Sequence, residues 1–129
     1  MWQNRFFSAI VDTDRYLWGV ASYIERNPVR AGLAQRVDAY QWSSCRAHIH
    51  GEANKYLSGT DWLEESDRIE YQKLLQGENE AEVLAIRQAT ARGRPLGSAN
   101  FIERLEKKLD RSLTPNKAGR PSKQQEKKK

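Results

Sequence analysis

The chain has 129 residues, 38% of them hydrophobic and 30% charged, which is room for one ordinary domain or two small bundles around a modest core. No apolar run approaches the ~20 residues that a membrane helix needs, and no basic-then-apolar signal pattern opens the chain, so a cytoplasmic protein without a membrane partner is expected. A single cysteine, Cys45, excludes an internal disulfide framework or a multi-cysteine zinc site and reads as a small, partly buried filler. The formal net charge of +5 is unevenly spread: residues 1–59 carry +2, residues 60–90 carry −5 and residues 91–129 carry +8. An acidic middle and a strongly basic end predict a modular chain whose end is offered to a polyanion, DNA above all. The bland alternative is a solubilising lysine tail.

In chain order, the alternation of Phe6, Ser8, Ile10 and Asp12 with Phe7, Ala9 and Val11 predicts a short strand. A helix follows over Arg15 to Asn27, capped by Asp12, Thr13 or Asp14. Leu17, Val20, Ala21 and Ile24 form its core stripe, and Pro28 disfavours helical geometry at Asn27 and so ends it. Tyr23 and Asn27 lie one turn apart and can point into one pocket. Spacing alone leaves Tyr23 as an interfacial packing residue with its hydroxyl in water. In the loop VDAYQWSS, Tyr40 and Trp42 are expected to anchor against the helix, and Ser43 to cap a short helix through Ile49 that Gly51 stops. Trp18, Trp42 and Trp62 read as packing anchors, and His48 and His50 as two surface histidines rather than a metal site.

From Thr60 helices predominate. Residues 61–76 carry Leu63, Ile69, Leu74 and Leu75 up to a stop at Gly77, and residues 80–90 carry Val83, Leu84 and Ile86 with acidic residues early and Arg87 late. After a break over residues 91–97, Ser98 caps a last helix with an apolar stripe of Phe101, Ile102, Leu105 and Leu109. The turn before that helix resembles a helix-turn-helix arrangement. From Pro115 onward the composition predicts disorder. Arg92-Gly93-Arg94-Pro95, nearly repeated by Gly119-Arg120-Pro121 with Lys117 and Lys123, resembles the core of an AT-hook, an extended basic segment suited to an A·T-rich minor groove. Lys107, Lys108 and Arg111 add to this DNA-binding set.

The run WQNRFFSAIVDTDRYLWGVASYIERNPVRAGLAQRVDAYQWSS, and within it YIERNPVRAG followed by YQWSS, resembles the second half of the catalytic domain of REP-associated tyrosine transposases, a branch of the single-tyrosine HUH transposases. The likeness covers residues 2–51. The segments TARGRPLGSANFIERLEKKLDRSL and KAGRPSK resemble the C-terminal extension of some members. The resemblance implies that Tyr23 is the catalytic nucleophile and that Asn27 helps to bind a divalent cation, Mg²⁺ or Mn²⁺. The reaction would be transesterification on single-stranded or hairpin DNA, leaving a 5′-phosphotyrosine and a free 3′-hydroxyl. The family's His-hydrophobic-His strand precedes the tyrosine helix and has no counterpart in this sequence, so the expectation is an inactive C-terminal fragment that does not hold the cation tightly alone.

The expected fold is therefore mostly α. It comprises a C-terminal remnant of an α+β HUH domain (residues 1–51, one strand and the nucleophile helix), a linker (52–60), a helical DNA-binding module (61–112) with helix-turn-helix character, and a disordered basic tail (113–129). The alternative is a non-catalytic DNA-binding or regulatory module acting through the basic half, and bound to DNA the protein would associate with the bacterial nucleoid.

Overall fold

The computed structural model describes residues 8–13, 15–58 and 62–114. These residues are mostly helical: α1 (Arg15–Arg30), α2 (Cys45–His50), α3 (Arg68–Gln76), α4 (Glu80–Arg92) and α5 (Ala99–Leu109), with single 3-10 turns at Val37–Ala39 and Glu65–Asp67. Phe6, Phe7, Asp14, Asp61 and the tail from Pro115, on which several expectations fell, lie outside the described residues.

The core sits where α1, α2 and α3 meet. Cys45, Leu63, Tyr71 and Leu75 are buried there, with Trp18, Ala21, Val37, Ile49, Trp62 and Leu74 packed around them. Tyr71 is its hub, taking the rings of Trp18, Trp62 and His48 at centroid separations of 6.0, 5.6 and 6.2 Å, all near-perpendicular, the arrangement that sets a positive ring edge against a negative face. The cluster draws on both sides of residues 52–60, so that segment does not divide the core. Burial, with Glu25 nearby, pushes the Cys45 thiol up to about 12, which leaves it an inert core group.

The buried face of α1 differs from the apolar stripe. Ser22, Glu25 and Pro28 are its buried residues, while Ile24 is 56% exposed. Tertiary partners reverse the assignment, because Glu25, only 2% exposed, finds three of them inside. Its Oε1 accepts a hydrogen bond from the Ser44 hydroxyl at 2.6 Å and lies 2.5 Å from His48 Nδ1, and its Oε2 accepts from the Tyr71 hydroxyl at 2.9 Å. His48 is thus a core residue, 7% exposed, rather than a surface one. Burial and the neighbouring Glu25 raise the pKa of the Tyr71 phenol, which keeps it a donor.

Helix ends depart from expectation in instructive ways. Pro28 lies inside α1, which continues to Arg30. A proline so near a C-terminus removes only the donor to the Ile24 carbonyl, and the Pro28 carbonyl itself takes the Leu33 N–H at 2.8 Å. α2 ends as expected on Gly51 in the left-handed region, φ 66°, and Arg68 Nη1 donates to the exposed carbonyls of Ala47 and His48 at 2.9 and 2.5 Å. Ser43 stands one residue outside the cap position, its Oγ accepting from the Cys45 N–H at 3.2 Å. Helical structure in 61–76 begins only after the 3-10 turn, at Arg68, because Glu64 is extended. Trp42 is 74% exposed and anchors nothing, and Ile69 and Leu84 are exposed as well.

Instead of a strand, the described portion of the N-terminal segment makes one parallel bridge, Val11 to Leu96. In it the Asp12 N–H donates to the Leu96 carbonyl and the Leu96 N–H to the Ile10 carbonyl, both at 2.8 Å. Asp12 caps no portion of α1. Its Oδ2 accepts from the Ser98 N–H and hydroxyl at 3.2 and 2.9 Å, and Ser98 in turn caps α5 by accepting from the Phe101 N–H at 3.3 Å. A side chain at Gly97 would meet the Phe101 ring and come within 2.7 Å of Asp12 Cβ. No helix among the described residues is long and apolar enough to cross a membrane.

Two outcomes test this packing. Glu25→Ala strands the buried His48 and Tyr71 and the half-buried Ser44 and is expected to lower stability by about 3 kcal/mol in urea unfolding. Gly97→Ala overpacks the junction of α5 with the N-terminal segment and is expected to cost about 1–3 kcal/mol with helical circular dichroism retained.

Candidate functional site

With Glu25 turned inward, the opposite side of α1 presents Tyr23, Arg26, Asn27 and Arg30, spaced i, i+3, i+4 and i+7 and therefore on one face. Tyr23 is half-buried and Asn27 exposed. The Arg30 guanidinium lies over the Tyr23 ring, 4.7 Å from its centroid, a cation–π contact, and its Nη1 donates to Asn27 Oδ1 at 2.5 Å. Its other edge is taken by Glu78, from the turn between α3 and α4: Nε and Nη2 both donate to Glu78 Oε1, at 3.1 and 2.5 Å.

Glu78 Oε2 lies 3.7 Å from Arg26 Nη2. Arg26 also donates through Nη1 to the Leu75 carbonyl, while its Nε is buried without a hydrogen-bond partner. The Arg30 hydrogen bonds, aided by the charges of Arg30, Arg26 and Arg87 and opposed by partial burial, hold the Glu78 carboxyl below the usual carboxylate range.

The structure thus brings Tyr23 and Asn27 together, with Arg30 in contact with both. Asn27 Oδ1 already accepts from a fixed guanidinium, which repels a divalent cation. Among the described residues no group of three or more His, Cys, Asp or Glu side chains could hold one. His48 belongs to the Glu25 network on the opposite side of α1, and His50 Nε2 is 3.9 Å from Asp38 at the surface. The donor set around Tyr23 among the described residues does not fit Mg²⁺ or Mn²⁺.

The described basic residues of the C-terminal block are spread over the end of α4, the segment after it and the end of α5. Arg92 is exposed in the last turn of α4, and Gly93 closes that helix in the left-handed region, φ 58°, with the Arg94 N–H returning to the Ala89 carbonyl at 2.9 Å. Arg92-Gly93-Arg94-Pro95 is therefore a helix cap instead of an extended segment, because the carbonyls at the end of α4 need donors. Arg94 and Pro95 are half-buried just before the bridge to Val11. Lys107 and Lys108 are exposed at the end of α5, Lys107 pairing with Glu103 at 2.8 Å, and Arg111 is exposed beyond it. Lys117, Arg120 and Lys123 lie outside the described residues.

Arg26, Arg30 and Glu78 were not among the candidate residues. The two arginines share the helical face of Tyr23 and were detectable by that spacing. Glu78, fifty-odd residues away in a turn, carries no such signal. No protein-family model matches the chain, and no curated protein or solved structure matches it either.

The ion pair of Glu78 has a pH signature. Because the carboxyl value is depressed in the folded state, the pair's contribution is complete above the unfolded glutamate value of about 4.3 and is lost as pH falls through the lower folded value. Wild type is expected to melt above Glu78→Gln at pH 7, and the difference should shrink and vanish as pH falls through the depressed folded value in a thermal-melt series.

Proposed function

We propose that this protein binds single-stranded or hairpin DNA through the arginine-rich face around Tyr23 and through the basic block 91–129, and that it belongs with the single-tyrosine HUH transposases. The observation that carries this reading is the placement of Arg30, stacked on the Tyr23 ring and bonded to Asn27, with Arg26 one turn before it. Guanidinium groups offer paired N–H donors matched to phosphate, so a DNA backbone lying on this face would bring a phosphodiester to the tyrosine expected to be the family's nucleophile. The motif YIERNPVRAG followed by YQWSS supports the assignment.

Residues 1–51 then correspond to the second half of the HUH catalytic domain, and α4 and α5 with residues 93–98 between them to the helix-turn-helix-like module. A bound chain associates with the nucleoid. On its own the chain does not cut DNA, since the family's divalent cation has no matching donor set beside Tyr23 among the described residues.

The +8 charge of residues 91–129 favours a second reading, a regulatory DNA-binding module in which the Tyr23 face is not involved. A pair of measurements on the full chain separates these outcomes. Binding to a fluorescent hairpin oligonucleotide should weaken steeply with salt, and Arg30→Ala should reduce both affinity and the salt slope, by about 0.7 per lost phosphate contact on a single strand. Incubation with hairpin DNA and Mg²⁺ or Mn²⁺ should give no denaturation-resistant adduct. A Tyr23-dependent adduct would overturn the inactivity, salt-insensitive binding would overturn the DNA reading, and full binding by Arg30→Ala would leave only the second reading.

A further inference from the structure

The Tyr23 face is not an open cationic surface. Three arginines, Arg26, Arg30 and Arg87, act on one carboxyl group, that of Glu78. The Nε–Nη2 edge of Arg30, which is the edge suited to two-point recognition of a carboxylate or a phosphate, is taken entirely by a single Glu78 oxygen. Arg26 approaches the other oxygen of the same group through Nη2, at 3.7 Å. One carboxylate is therefore shared between two guanidinium groups, accepting both hydrogen bonds of the Arg30 edge on one oxygen and facing Arg26 with the other.

Glu78 is also placed so that it can leave. It lies in the short turn Gly77-Glu78-Asn79 between α3 and α4, and the next residue, Asn79, already caps α4 by accepting from the N–H groups of Ala81 and Glu82 at 3.1 and 3.4 Å. The carboxyl group contributes nothing to that cap. Its side chain is partly exposed, at 35%, and lines an open groove with Arg30, Glu80, Val83, Leu84 and Arg87. A side-chain rotation would free the Arg30 edge without disturbing either helix.

We propose that Glu78 is an intramolecular competitor for DNA. Its carboxyl group stands in a phosphodiester subsite formed by Arg26 and Arg30 beside Tyr23, and a backbone phosphate must displace it to engage this face. The proposal rests on the DNA-binding reading and deepens it, since it makes the occupancy of the Tyr23 face depend on an acidic turn of the same chain. No covalent step is involved: one anion replaces another on the same guanidinium donors. Glu80, in the same groove, adds to the repulsion of an incoming phosphate but holds neither arginine in an ion pair.

The test compares the full-length chain with Glu78→Gln, Arg30→Ala/Glu78→Gln and Glu65→Gln, the last removing one exposed carboxylate away from the site. Each is titrated onto a fluorescent hairpin oligonucleotide at several salt concentrations between about 50 and 300 mM. Glu78→Gln is expected to bind about fivefold more tightly at the lowest salt, because a phosphate then reaches Arg30 without first displacing a carboxylate. The double variant should lose the gain, and Glu65→Gln should show little of it.

Thermal melts establish that each variant is folded. If wild type binds DNA and Glu78→Gln matches it in affinity, the competitor proposal fails while the DNA-binding reading stands. A gain retained in the double variant, or reproduced by Glu65→Gln, marks a general charge effect and also overturns the proposal. No binding by any of the four overturns both.

Discussion

The carboxyl group of Glu25 is the constraint on which the arrangement of the first three helices depends. A polar group brought to 2% exposure forfeits its hydration, and in a protein interior only correctly placed donors offset that loss. The partners come from three places in the chain: Ser44 just before α2, His48 within it and Tyr71 in α3. Only one mutual placement of α1, α2 and α3 presents all of them at once. The apolar cluster around Tyr71 contributes most of the burial, but it is tolerant of small rotations. The directional bonds to Glu25 are not, so they set the rotation of α1 about its own axis.

That rotation decides what α1 offers to the outside. Placing Glu25 inward turns Tyr23, Arg26, Asn27 and Arg30 toward the α3–α4 turn, where Glu78 meets them. It also leaves Ile24 at the surface, although its spacing with Leu17 and Val20 marked a core stripe. The acidic middle of the chain acquires a meaning that composition did not suggest. Glu78 pairs with the half-buried Arg26 and Arg30, and Glu82 lies 3.5 Å from the exposed Arg15, so acidic groups of residues 60–90 neutralise cations of α1. The acidic stretch is a counter-charge folded onto α1, and the positive excess is left to the C-terminal block.

Local chemistry was legible wherever a single residue type answers a local need. Ser98 at the start of α5, Gly51 at the end of α2 and the presence of helices α4 and α5 follow from capping preference and spacing, and the structure places them as those rules require, although Leu84 and Leu109 of the expected apolar stripes are exposed. The reading failed where a residue's role depended on a distant partner. Asp12 serves Ser98, eighty-six residues away, instead of its own helix. Pro28 is carried inside α1 because one missing donor near a helix end costs little. Arg92-Gly93-Arg94-Pro95 looks extended by composition, yet the end of α4 takes it as a cap.

The sequence by itself determined that the chain is mostly helical, where most of those helices lie, and that Tyr23 and Asn27 share one face one turn apart. These are consequences of periodicity and of capping, which act over a few residues. Only the tertiary structure decided that Glu25 and His48 are core residues and that Arg30 stands between Tyr23 and Asn27 with Glu78 on its other edge. Burial of a charge-bearing group depends on donors supplied from elsewhere in the chain, and no pattern along α1 records where they come from. The same holds for the carboxylate that closes the Tyr23 face, which local spacing leaves open and the α3–α4 turn covers.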